Sequence, residues 1–436
     1  MNWIAAIPIE CRLAVLFVAG ACLGALANWA AFRLSWEPRG TSPWIWDPLA
    51  PPRRWSDRLP ILGWLGLRRE ASSLGRGFWI RPMVVELLGG AGLAALYWWE
   101  IECRGLLPED LPAQLPPLVM CNLHAQWLCH AVLMWLMLVA SLVDADEKLI
   151  PDAITVPGTL LGLFVASVYP FAMLPVVQRV QAGLVLAGFL NLASPHPWPA
   201  WLDGVPGVAP LALALGCWWL WCVALMHRTW YGRRGWRRAL QLMWARLARE
   251  PSTWRLCLLG LGGSAVIGGT WWSGGISWRG LLTALVGMAA SGAFVWLVRV
   301  VCSATLGREA MGFGDVTLMA MMGAYLGWQS CLVIFFLAPL AALVIGIAQW
   351  VLRRENEIPY GPFLCLAAVV LIVRWRAVWA WLEQTLGVLG MLVPILVVFC
   401  LVAMAGLLGL MRAFRGLRGG GPADRQPGQD QPPPSE

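Results

Sequence analysis

The stretch LVDADEKLIPDAIT, Leu142–Thr155, closes a long apolar run and sets Asp144, Asp146, Glu147 and Asp152 beside a membrane boundary. Carboxylates are costly near hydrocarbon, so acids at such a depth belong to water, to a partner or to chemistry. The run before them, ending LMLVASLV, is long enough to cross a bilayer, for which about 20 apolar residues suffice. The rest of the chain is of the same kind: 436 residues, 59% hydrophobic, 13% charged, with 30 Trp and a mean hydropathy of +0.66. Soluble domains carry roughly 25% charged residues. The expected fold is therefore all-α, a polytopic transmembrane helical bundle with a cytoplasmic loop between the first two spans and a disordered C-terminal tail.

Working outward, apolar runs predict helices near 13–34, 83–99, 122–143, 153–170, 208–227, 256–274, 279–303, 316–328, 330–352, 361–382 and 386–411. The opening MNWIAAIPIECR lacks the basic stretch and cleavage site of a signal peptide, so 13–34 is expected to be retained. Segments 316–328 and 330–352 cross as a down-and-up pair, or the first is partly re-entrant. Every basic cluster then falls on one side. Arg33, Arg39, Arg53, Arg54, Arg58, Arg68, Arg69, Arg76 and Arg81 lie between the first two spans, which makes that side cytoplasmic. The formal charge of +8 thus reads as topology, and no nucleic-acid partner is expected. Loop 228–255 alternates Arg with Trp and Leu and suits an interfacial helix on membrane lipid. Stretch 171–207 reads as an exterior loop with one amphipathic helix.

Three regions follow: 1–100 with the first spans and their loop, 101–412 as a membrane domain with a long insertion at about 171–300, and 413–436 as a tail too polar and Pro-rich to fold. Twelve Cys form no CxxC pair and four His show no HExxH spacing, so no metal site is expected.

Asp144 emerges at the end of one span. Asp315 comes from MGFGD, where Gly312 and Gly314 permit close backbone approach before another apolar run. Carboxylates from two distant segments at one membrane face can meet in the bundle. Such a pair holds a single proton between them, so one acid deprotonates a water while the other donates to a carbonyl oxygen. Simpler roles suit the neighbours: Asp146, Glu147 and Lys148 as a solvated turn, and Asp152, after Pro151, as an N-cap. A transporter or inactive assembly scaffold, using the same carboxylates to bind protons or cations, is the alternative.

Five stretches in one order resemble the type IV prepilin peptidases, also called leader peptidases. They are GACLGALANWAAFRL (Gly20–Leu34), RLPILGWLGLRR with IRPMVVELLGG (between Arg58 and Gly90), LVDADEKLIPDAIT, GFGDVTLMAMMGAYLGW (Gly312–Trp328) and IPYGPFL (Ile358–Leu364). The resemblance implies a membrane aspartic endopeptidase in which Asp144 and Asp315 are catalytic and Gly312, Gly314, Pro151 and Asp152 support them. It implies a prepilin or pseudopilin substrate cut at the cytoplasmic face of the inner membrane, with no cofactor for cleavage. Many members then methylate the new N-terminus with S-adenosylmethionine, for which Asn28, Arg33 and Glu86 are the candidate binding residues in the methyltransferase-associated region 1–100. The chain departs from the family pattern where paired CxxC motifs stand in the first loop, and where a Lys follows the second aspartate; here that position is Thr317. Zinc is not expected.

Overall fold

The computed structural model describes residues 7–35, 54–109, 111–112, 115–179, 185–226, 249–307, 311–353, 360–390 and parts of 392–410. Helix α1 (Ile9–Leu34) and helix α2 (Ile80–Tyr97, continued by a π-helical turn Trp98–Glu102) bracket a series of short helical turns between Trp55 and Leu74. Then come α3 (Pro117–Glu147), α4 (Asp152–Val168), the strands β1 (Pro175–Arg179) and β2 (Val185–Phe189), α5 (Val208–Ala224) and α6 (Pro251–Ser273). The chain continues through α7 (Gly275–Leu306), α8 (Phe313–Arg353), α9 (Gly361–Val373) and α10 (Trp375–Leu389). Among the described residues six helices are long and apolar enough to cross a membrane, and a seventh candidate is the pair α9–α10, bent by 88°.

In lipid, helices gain little from hiding apolar surface, so close packing of small residues decides which of them meet. One such close contact is α7 on α8. A Cβ added at Gly287 would lie 2.2 Å from the Gly323 carbonyl oxygen, and one at Gly323 would lie 2.2 Å from that of Gly287. Around this crossing Leu285, Met288, Met319 and Met322 are fully enclosed. Helices α1 and α2 meet on the same principle, with Gly20 against the Gly89 carbonyl and Gly24 against the backbone of Glu86.

The expected pair 316–328 and 330–352 does turn back on itself: Gly327, at φ 77° and ψ 164°, breaks α8 into two arms, a conformation open to glycine without a Cβ penalty. Gly292 of α7 faces Ala320 on the first arm while the neighbouring Phe294 packs on Phe335 of the second, with ring centres 4.7 Å apart, so the second arm returns beside the first. One expected span differs in form. The span expected at 361–382 turns instead through a right angle after Val373, at Arg374, and α10 is the amphipathic segment lying across the end of α9. Of the span expected at 386–411, the residues described beyond 394 are helical.

The stretch 171–207, expected as an exterior loop with one amphipathic helix, holds no such helix among its described residues. It forms the antiparallel hairpin β1–β2, with Pro175 opposite Phe189, followed by Pro-rich turns. Indole and amide donors hold it down. Trp375 Nε1 donates to the Pro175 carbonyl at 2.8 Å, Trp328 Nε1 to Leu192 at 3.1 Å and Trp278 Nε1 to Leu202 at 2.8 Å. Gln329 Nε2 donates to the carbonyls of Asn191 and Ser194 at 2.9 and 3.2 Å. Irregular backbone near a membrane needs such partners, since an unpaired carbonyl there costs several kcal/mol. The basic stretch expected as an interfacial helix lies, up to residue 248, outside the described residues, as does the tail 413–436.

Gly323→Ala should lower stability by about 1–3 kcal/mol, because its methyl meets backbone that cannot yield without moving a helix. Gly268→Ala, whose added methyl meets nothing within 4 Å, should leave the thermal unfolding midpoint unchanged or higher. Melting of the purified variants in detergent separates the two.

Candidate active site

Three helix ends converge at one end of the bundle. The last turn of α3 carries Asp144, the first turn of α8 carries Asp315, and α9 begins beside both. Asp144 is 5% exposed and Asp315 7%. The two carboxylates lie within electrostatic reach of each other, and the buried thiol of Cys365 on α9 lies within reach of both. The backbone N–H groups of Gly312 and Gly361 face the Asp315 and Asp144 carboxylates respectively. Asp144 Oδ2 is buried and has no hydrogen-bond partner among the described residues.

Missing Cβ atoms make this convergence fit. One added at Gly361 would stand 2.6 Å from Asp144 Oδ2, and one at Gly314 would stand 2.8 Å from Ile150 Cβ. Gly314 therefore seats the start of α8 on the α3–α4 turn, while Gly361 seats the start of α9 on the acid itself. Gly312 is roomier; an added Cβ has its nearest neighbour, Asp315 Oδ2, at 3.9 Å. Thr317 Oγ1 donates to the Gly314 carbonyl at 3.0 Å, closing the first turn of α8.

The neighbouring acids take other roles. Asp146 and Glu147 are still helical, and the turn expected at 146–148 closes only at Lys148, in a left-handed conformation at φ 55°. Asp146 pairs with Arg81 at the start of α2. The expected N-cap at Asp152 is displaced by one residue: Pro151, which has no side chain able to cap, occupies the cap and Asp152 is the first helical residue. Asp152 instead lines a cavity of about 550 Å³ between α5, α7 and α8, whose wall also holds Arg299, Trp221, Trp296 and Thr317.

Asn28 and Glu86 come together, while Arg33 stays apart. Glu86 is buried and accepts from Trp64 Nε1 at 2.8 Å, the Ile61 N–H at 2.6 Å and Asn28 Nδ2 at 3.3 Å. Asn28 also donates to the Pro82 carbonyl at 2.9 Å. This network ties the loop between α1 and α2 to both helices. Asn28 borders a second cavity, of about 360 Å³, with Phe32, Phe78, Arg81 and Asp146, but Arg33 is exposed and its guanidinium lies 5.5 Å from the centre of the Trp29 ring. Asn28 and Glu86 thus spend much of their bonding on each other and on the loop.

A second clasp shapes the same loop. Buried Asp57 pairs with Arg69 and accepts from the Arg54 N–H at 2.7 Å. Burial works to raise the Asp57 pKa, yet the Arg69 and Arg54 contacts outweigh it and hold the carboxyl below its ordinary range. Reading the sequence singled out none of Gly361, Ile150, Cys365 or Asp57. Gly361 had a signal, a glycine between prolines in PYGP; Asp57 had none beyond its single charge among arginines.

Residues 253–347 match the model of the type IV leader peptidase family. The match takes in α6, α7 and the first part of α8 with Asp315, and begins inside the stretch read as an insertion. A prepilin leader peptidase/N-methyltransferase of Aeromonas salmonicida is 30% identical over 106 residues, 24% of this chain and 36% of that protein. One of Burkholderia pseudomallei is 34% identical over 87 residues, 19% of this chain and 28% of its own length. The chain thus spans about a third of these curated relatives. A longer alignment joins it to a protein of the same name from Pseudomonas putida, 27% identical over 77% of this chain and 73% of the relative. No solved structure matches.

Lowering the pH should loosen the loop. The Asp57 pKa is depressed on folding, so its stabilisation is complete above the unfolded value of about 4 and is lost as pH falls through the folded value. Acid-stable proteolysis of the loop should accelerate in that window in the native protein and lose this step in Asp57→Asn. Trp64→Phe, which removes one donor from buried Glu86, should cost about 1–3 kcal/mol and hasten tryptic cutting near Arg68 at neutral pH.

Proposed function

We propose that this chain, which is related to the type IV leader peptidases, is a membrane aspartic endopeptidase that removes the basic leader of a prepilin or pseudopilin at the cytoplasmic face of the inner membrane. One observation carries the reading: Asp144 and Asp315, 171 positions apart in sequence, form a buried electrostatic pair at the ends of two helices. The relatives' names, prepilin leader peptidase/N-methyltransferase, supply the class of substrate.

The chemistry needs only the pair and a water. Two coupled carboxylates hold one proton between them. The ionised member takes a proton from the water as its oxygen attacks the scissile carbonyl carbon, and the protonated member donates to the carbonyl oxygen, giving a neutral tetrahedral diol. Proton return to the leaving nitrogen breaks the C–N bond and frees an acid and an amine. The Gly361 and Gly312 N–H groups orient the two acids, and the unpartnered Asp144 Oδ2 is the atom best suited to the water. The apolar cavity beside Asp315 offers a place for the hydrophobic part of the substrate.

Methylation of the new N-terminus is the second activity in the relatives' names. In this chain the cavity bordered by Asn28 is the part of region 1–100 suited to S-adenosylmethionine, with Arg33 outside it. The transporter or scaffold alternative has no comparable support, because neither the family match nor the relatives' names point to it.

Asp144→Asn and Asp315→Asn should each reduce leader removal on the order of a thousandfold or more while the protein still inserts. The measurement is the gel mobility of a co-expressed prepilin. Asp146→Asn and Glu147→Gln should keep most activity. Near-native cleavage by either of the first two variants would remove that residue from the mechanism.

A further inference from the structure

The cytoplasmic loop folds back toward the membrane. Trp64 donates to Glu86, in the second turn of α2, and the same carboxylate bonds Asn28, six residues before the end of α1. At a rise of 1.5 Å per residue, both anchors lie about 9 Å inside their helix ends. The short helix Leu62–Leu67 is therefore held at the depth of the span ends rather than out in the cytoplasm. Its inner face is filled: Gly63, Trp64 and Leu67 are buried.

Its outer face is apolar and open. Trp55 is 84% exposed, Leu59 53%, Leu62 64% and Leu65 45%. The turn Trp55–Arg58 and this helix are packed together, since a Cβ at Gly63 would meet the Asp57 carbonyl at 2.2 Å. The lipid-facing side of α2 begins beside them with Ile80, Val84, Leu87 and Leu88, all exposed. Charge points the same way. Between 54 and 79 the exposed charged residues are Arg54, Arg58, Arg68, Arg69 and Arg76, whereas Asp57 and Glu70 are buried. Arg58 lies over Trp55 and Arg68 over Trp79, at 5.6 and 4.8 Å from the ring centres. Indoles backed by guanidinium groups suit the headgroup region.

We infer that residues 54–79 form a membrane-docked element that inserts Trp55, Leu59, Leu62 and Leu65 into the cytoplasmic leaflet and binds anionic phospholipid through its arginines. A second copy of this surface would meet it with like charge, and a basic peptide would be repelled for the same reason. The inference does not rest on the peptidase reading; it needs only the loop and the two spans that carry it.

The test places a photo-crosslinking amino acid at position 55, 62 or 67 of the full chain in vesicles. One set is phosphatidylethanolamine with phosphatidylglycerol and the other phosphatidylethanolamine alone; adducts are identified by mass spectrometry. Positions 55 and 62 should give lipid adducts in the first set, while 67, whose native Leu is fully buried, should crosslink within the chain. Without phosphatidylglycerol the lipid yield should fall several-fold, by about fivefold for each arginine engaged at an anionic surface. Adducts to another protein chain at 55 and 62, or none at all, would overturn the docking. A yield indifferent to phosphatidylglycerol would overturn the anionic-lipid recognition.

Discussion

Two carboxylates buried at one end of a helical bundle set the terms for the rest of this molecule. Among the described residues neither Asp144 nor Asp315 is paired with a cation; each is faced by a backbone N–H from a glycine. Holding such a pair requires three helix ends to come closer than ordinary side chains permit. Gly314 and Gly361 supply that approach, the first against Ile150 and the second against Asp144 itself. The same device recurs deeper in the bundle, where Gly287 and Gly323 bring α7 onto α8 and so fix the helix that presents Asp315. A methyl group at any of these positions moves a helix, and a moved helix separates the acids.

Away from the acids, polar side chains serve mainly to satisfy backbone. The Trp-rich composition has a structural use: indole N–H groups from α7, α8 and α10 reach backbone carbonyls of the segment 171–207. Tryptophan combines a large apolar body with a single donor, which is the combination needed where a lipid-facing bundle must hold an irregular strap. Glu86 does comparable work for the loop between α1 and α2. It is buried within α2, where an acid is costly, and accepts three hydrogen bonds that fasten the loop to two spans. The loop is thus closed by Glu86 and by the Asp57–Arg69 clasp, without a thiolate.

Much of this was legible in the sequence. Apolar runs of span length gave the all-α membrane class and most helix positions, because a chain in hydrocarbon must bond its backbone internally. The Gly-x-Gly-Asp stretch and the acids after LMLVASLV identified Asp144 and Asp315, since acids at a membrane face are rare enough to stand out. The division of α8 beside Gly327 was legible too, because a glycine between two apolar runs marks where the chain can reverse. The strand pair 175–179 and 185–189 was hidden, its strands being short and Pro-bounded like a loop.

What only the tertiary structure decided is which groups meet. The family resemblance grouped Asn28, Arg33 and Glu86 as candidate binding residues; packing joined Asn28 to Glu86, which Trp64 and Ile61 also bond, and left Arg33 on the face of Trp29. Asp152 read as an N-cap, yet Pro151 takes the cap and Asp152, as the first helical residue, lines a cavity beside Arg299. Gly361, far along the chain, proved the closer neighbour of that acid. Chain order and hydropathy fix the depth of a residue in a membrane, because both act along the helix axis. Its neighbours depend on helix rotation and interhelical distance, which are set by contacts between segments hundreds of positions apart, and those are properties of the packed bundle alone.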